Sequence, residues 1–135
     1  MNSIKANNFY TGGEFRQNVV INFNGTKIVS IAEKALAKTC EEYHTITPAL
    51  IDPHSHIGMC REGEPASEDE ANEQFDSIIA LADALDSVQM DDTAFKDSIE
   101  AGVLYSCVLP GSGNIIGGQS AFIRNYAKDT SSALI

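Results

Sequence analysis

Basic residues are scarce in this chain: nine Lys and Arg stand against nineteen Asp and Glu, a formal net charge of −10. With no excess of cations to neutralise phosphates, nucleic-acid binding is excluded as a function. Attachment to an anionic membrane surface is excluded on the same ground. No apolar run approaches the length of a membrane span, and the opening MNSIKANNFY does not read as a secretory signal. Cysteine is also sparse. Cys40, Cys60 and Cys107 are odd in number and widely spaced, with no CxxC pair, so no disulfide framework is expected and a reducing cytoplasm is the expected compartment. Apolar residues are present in ordinary amount, 43% of 135 residues. That suffices for a core in one domain or two small ones.

The chain changes character at Pro48. Before it, NVVINFNGTKIVSI reads as a hairpin in which Val19 to Phe23 pairs antiparallel with Lys27 to Ile31 around a turn at Asn24-Gly25. NFYTGGEF precedes it as a further short strand and turn, and HTIT before Pro48 reads as one more strand. AEKALAKTCEEY has helix-forming composition but is short and weakly amphipathic, and is left open. Residues 1–48 are thus expected to form a small antiparallel β-structure.

After Pro48 the order is strand, helix, strand. ALIDPHSHIG is apolar at its start, as a strand covered on both faces is. SEDEANEQFDSIIALADAL predicts a helix, with Ser67 as N-cap, Glu70 completing a capping box, and Ala71, Phe75, Ile78, Ile79, Ala82 and Leu85 on one face. A second, shorter helix starts at Asp91 or Asp92, carries Phe95 and Ile99, and stops at Gly102. VLYSCVL is the next strand, ended by Pro110. Such an order implies an α/β segment, residues 49–135, with parallel strands joined by a right-handed crossover.

Two of the three histidines sit two residues apart in this first strand. Side chains alternate across a strand, so His54 and His56 share a face, and one divalent metal ion can meet both. Asp52 has the same parity and is expected either to coordinate or to steady a ligand histidine through its second nitrogen. Ligands bind beyond the carboxyl ends of such strands, and Gly58 and a polar loop follow at once. Two solvated histidines at a strand end are the plain alternative.

TPALIDPHSHIG resembles the first barrel strand of the amidohydrolase superfamily. EDEANEQFD, ALDSVQMDDTAFKDSIEAGV and VLPGSGNIIGGQSAFIR resemble a cytosolic branch of it related to imidazolonepropionase. The resemblance runs from about Gly25 onward. It implies a (β/α)8 TIM barrel with a small β-sandwich built partly from residues 1–48. It implies hydrolysis of a cyclic amide-like carbon–nitrogen bond in a small molecule, with a divalent metal, most commonly zinc, held by His54 and His56 and lowering the pKa of a water. The family's remaining ligands come from later strands and have no counterpart here. His44 precedes the metal strand and reads as structural or solvated, and Lys96 falls on the second helix. A complete barrel takes about 250 residues, so residues 49–135 are expected to be its first βα units. The chain is expected to self-associate or to need a missing C-terminal part, because a sheet edge stays uncovered.

REGEPASEDEANEQFD carries seven acids from Glu62 to Asp76. Arg61, Glu73 and Asp76 are candidate substrate contacts beside the metal strand, against the plain reading of a solvated loop and acid-rich helix start. PGSGNIIGGQS has neither the dinucleotide fingerprint nor a P-loop spacing, and reads as an active-site loop with Ser112, Asn114 and Gln119 as candidate contacts. Cys60 and Cys107 are expected to be small packing residues. The reading from a different class is a non-catalytic module that self-associates or binds a partner.

Overall fold

A computed structural model describes residues 1–61 and 63–135, the side chain of residue 66 excepted. The chain divides into two compact units, Met1–Pro48 and Ala49–Ile135.

The first unit is one four-stranded sheet: β1 (Asn2–Tyr10), β2 (Phe15–Asn24), β3 (Lys27–Ala32) and β4 (Cys40–Ile46), in the order β3-β2-β1-β4. β1–β2 and β2–β3 are antiparallel as expected, but β4 returns parallel to β1, so the sheet is mixed. AEKALAKTCEEY resolves into a turn-rich stretch followed by β4. The hairpin turn is centred one residue later than expected, on Gly25-Thr26, because Asn24 pairs with Lys27 and Gly25 takes φ 58°. A left-handed first turn position is what glycine permits at no steric cost. Ala6, Phe9 and Ile21 form the buried apolar cluster. Asn22 is fully buried beside them, and its side-chain oxygen accepts from the Ser3 hydroxyl and the Leu36 amide while its amide donates to Ser30 and the Lys34 carbonyl. One satisfied polar side chain thereby pins residues 34–36 to the sheet.

The second unit contains β5 (Leu50–Ser55), α1 (Ala84–Ser87), α2 (Thr93–Glu100), β6 (Val103–Val108), β7 (Ala121–Arg124) and α3 (Thr130–Ala133), with sheet order β5-β6-β7. β5 and β6 are parallel, as the strand–helix–strand order requires. α2 has the expected ends: Asp92 accepts from the Ala94 amide as N-cap, and Gly102 takes φ 84° just past the helix. Phe95 is buried beneath it in a cluster with Met59, Val88, Val108 and Ile123.

Three expectations for this unit are overturned. The helix over residues 67–85 is absent. In its place stand a single 3-10 turn, Ala66–Glu68, with no side-chain cap, an irregular stretch, and the short α1. Asp69, Glu73 and Asp83 each accept from backbone amides one or two residues on, an alternative to helical bonding that short acidic side chains offer readily. The would-be apolar face is split: Ala71 is buried in the core and Leu85 packs against it, whereas Phe75 is 96% and Ile78 61% exposed. β5 is not covered on both faces, since Leu50 and Ile51 are more than half exposed and β6 is its one neighbour in the sheet. β7 pairs antiparallel with β6, so no third parallel strand forms. The connection from β6 to β7 contains no helix to carry a parallel crossover.

Gly58 is the third residue of the His56–Met59 turn after β5 with φ +80°, and a Cβ there would lie 2.8 Å from the Phe95 ring. Gly58→Ala combines a left-handed non-glycine residue with overpacking and is expected to cost roughly 2–4 kcal/mol. Urea unfolding checks this; a loss below about 0.5 kcal/mol, the range of neutral surface changes, would show that the turn is not held this way.

Candidate metal centre

His54 is the penultimate residue of β5, and His56 follows the strand directly. Their ring centres are 5.5 Å apart with the planes at 85°. Two imidazoles bound to one tetrahedral zinc at roughly 2.0–2.1 Å through nitrogen put their ring centres about 5 Å apart, so the pair has the spacing of two ligands to one ion. His56 Nδ1 lies 2.6 Å from the carbonyl oxygen of Leu109, the residue after β6. A carbonyl only accepts, so Nδ1 carries the proton and the neutral ring leaves Nε2 bare. Asp52 Oδ1 accepts from the backbone amide of His54, 3.1 Å away. The carboxylate thus steadies the chain at His54 rather than either imidazole. Among the described residues no group of three His, Cys, Asp or Glu side chains converges. The donor set therefore fits a divalent cation as two ligands, short of the three a catalytic zinc site supplies.

The acidic loop is engaged within the fold. The Arg61 guanidinium reaches Asp91 at 2.8 Å and Glu64 at 3.0 Å and donates to the Gln89 side chain. Charge-paired in this way, it does not stand free for an anionic substrate group. Glu62, the first of the seven acids, lies outside the described residues. Glu73 and Asn114 join two irregular segments: Asn114 Oδ1 accepts from the Glu73 amide, and its Nδ2 donates to the carbonyls of Glu73 and Asp76. Asn72, which sequence reasoning passed over, accepts from the Gly113 amide. A Cβ on Gly111 or Gly113 would meet its side chain at 2.5–2.7 Å, so Asn72 would have to move to admit one. The Gln119 backbone bonds Ala82 and Ala84, its side chain is exposed, and Ser112 is exposed in the turn. The two segments frame a cavity of about 510 Å³ lined in part by Asp69, Asn72, Glu73, Phe75, Asp83 and Asn114; neither His54 nor His56 lines it.

His44 is exposed and bonds its neighbour Thr45, and Lys96 lies on α2, 3.8 Å from Glu100. Cys107 is half-buried, whereas Cys60 is exposed rather than a packing residue. Its thiol donates to Asp69 Oδ1 at 3.0 Å. Desolvation, then the hydrogen bond and charge of Asp69, push the Cys60 thiol up to about 11. The Cys60 bond and the Ala71 amide hold Asp69 below the usual carboxylate range, with a smaller contribution from His56.

No protein-family model matches the chain. Over 84 residues it is 32% identical to the amidohydrolase tasK of Hapsidospora irregularis, a stretch that covers 62% of this chain and 9% of that protein. The crystal structure of an amidohydrolase from Thermotoga maritima MSB8 superposes with a TM-score of 0.78 at 24% identity, over 98% of this chain and 36% of that one. The chain is thus similar in sequence to one amidohydrolase and in fold to another, and spans about a third or less of each. None of the described helices is long and apolar enough to cross a membrane.

A thiol needs its thiolate to react, and a raised pKa keeps Cys60 protonated until the pH climbs toward 11. Iodoacetamide at pH 8 should therefore label Cys40 well ahead of Cys60, and Asp69→Asn should speed Cys60 by removing the charge that disfavours its thiolate. Peptide mass mapping over time checks both rates; equal labelling of Cys40 and Cys60 would contradict the Cys60–Asp69 bond.

Proposed function

We propose that this chain is the N-terminal part of a metal-dependent amidohydrolase, of the branch resembling imidazolonepropionase, acting in the cytoplasm on a cyclic amide-like carbon–nitrogen bond of a small molecule. The observation that carries the reading is the His54–His56 pair at the end of a parallel strand, 5.5 Å apart, with one ring nitrogen of His56 free of the fold. The partial sequence likeness to one amidohydrolase and the fold likeness to another support a hydrolase. The exposed Leu50 and Ile51, on a strand with one neighbour, support a sheet continued by further barrel strands.

His54 and His56 would hold a divalent metal, zinc above all, which when bound would supply the charge that makes a water acidic near neutral pH. Asp52 fixes the backbone that carries His54. The third ligand and the group that moves protons belong to later strands. A non-catalytic module that self-associates through the open edge of β5 is the second reading, favoured by the lack of a third ligand among the described residues.

Two imidazoles alone hold zinc weakly, so the 135-residue chain is expected to take up zinc with low affinity and to show no turnover on small cyclic amides. His54→Ala and His56→Ala should each abolish that uptake, whereas Asp52→Asn should weaken it by about tenfold to a hundredfold, as indirect changes do. Equilibrium dialysis with metal analysis checks this. Uptake unchanged in the double variant would remove the metal reading and leave the module.

A further inference from the structure

The His56–Leu109 bond crosses from the end of one strand to the end of the next, and several constraints converge on its acceptor. Leu109 donates its own amide to the Ser55 carbonyl at 2.9 Å, which extends the β5–β6 pairing past the last residue of β6. Pro110 follows, and a residue before proline is held to extended backbone by the ring. The proline is itself gripped. Gly111 donates to the Ala71 carbonyl at 2.6 Å, and a Cβ on Gly117 would lie 2.8 Å from Pro110 Cβ. The orientation of the Leu109 carbonyl is therefore set from both sides. His54 serves as an internal contrast: among the described residues its ring has an edge contact with His56 and no hydrogen bond.

We infer that the Leu109 carbonyl, aimed by Pro110, is a tautomer lock that holds neutral His56 with its proton on Nδ1 and its Nε2 bare toward the cation site. The inference rests on the metal reading only for its purpose; the lock itself is a property of the metal-free chain. A histidine free in water favours the opposite tautomer, with the proton on Nε2 and Nδ1 as the bare nitrogen. Locking the ring makes Nε2 the open nitrogen and fixes the plane in which it points. Pro110 is thereby a positioning residue, distant in sequence from the imidazole it orients.

The test uses the metal-free 135-residue chain labelled with 15N in its histidines, at a pH where the imidazoles are neutral. Ring-nitrogen shifts distinguish a protonated from a bare nitrogen. The lock predicts His56 with Nδ1 protonated and His54 predominantly with Nε2 protonated. Pro110→Gly, shown to be folded by its amide spectrum, should give His56 a mixture of tautomers and bind zinc about tenfold more weakly, at the lower end of indirect ligand effects. Nε2-protonated His56 in the unaltered chain, or an unchanged His56 tautomer in the folded Pro110→Gly chain, would overturn the inference. Zinc that perturbs neither histidine while the tautomers behave as stated would support the lock and remove the metal reading instead, so the two failures are distinct.

Discussion

Parallel pairing of β5 with β6, from Leu50 against Val103 to Ser55 against Val108, fixes the geometry of the candidate site. It brings the carboxyl ends of the two strands level. Leu109 thus falls beside His56, although the two are far apart in sequence. The pairing depends in turn on α2, which carries the chain back to the start of β6 with Phe95 buried beneath it and a Gly102 turn that leads directly into Val103. The Gly58 turn rests on that same ring, so the exit from the histidines and the return helix share one packing contact.

The polar side chains of the β5 end and of the loops in this unit divide into two kinds. Arg61, Glu73, Asn114 and Asp69 are each held by fold partners, and a group so engaged adds rigidity to the loops rather than reach toward a ligand. The two imidazoles are different. His54 has no ring hydrogen bond among the described residues, and His56 uses only one of its nitrogens. The two imidazoles at the end of β5 are the feature on which the proposed cation site rests.

Legibility in the sequence followed how local the determining interaction was. The Asp92 cap, the Gly102 stop, the Phe95 anchor and the β5-to-β6 order were readable, because each depends on residues close in sequence or on a single packing face. The helix over residues 67–85 was not. Its apolar spacing suited a helix, but the stretch bonds residues 111–119 through Gly111 with Ala71, Ile115 with Ser77 and Gln119 with Ala82, partners no local pattern announces. The half-exposed β5 was misread for a related reason. A run of apolar residues reports that a strand is made to be covered, not that the cover is present in these residues. At the site, side-chain alternation put His54 and His56 together correctly as neighbours. The Leu109 partner of His56 was invisible, since a backbone carbonyl leaves no mark in composition. Arg61 and Asn114 were legible as polar loop residues, but their partners Asp91 and Glu73 were not.

The central claim is that this strand end is one half of a metal site made of imidazole nitrogens. X-ray absorption at the zinc edge, on the chain with zinc kept well below one equivalent, tests it most directly. The account predicts two histidine nitrogens at about 2.0–2.1 Å with the remaining positions filled by oxygen. A zinc shell with sulfur at about 2.3 Å, or one without imidazole scattering, would contradict it.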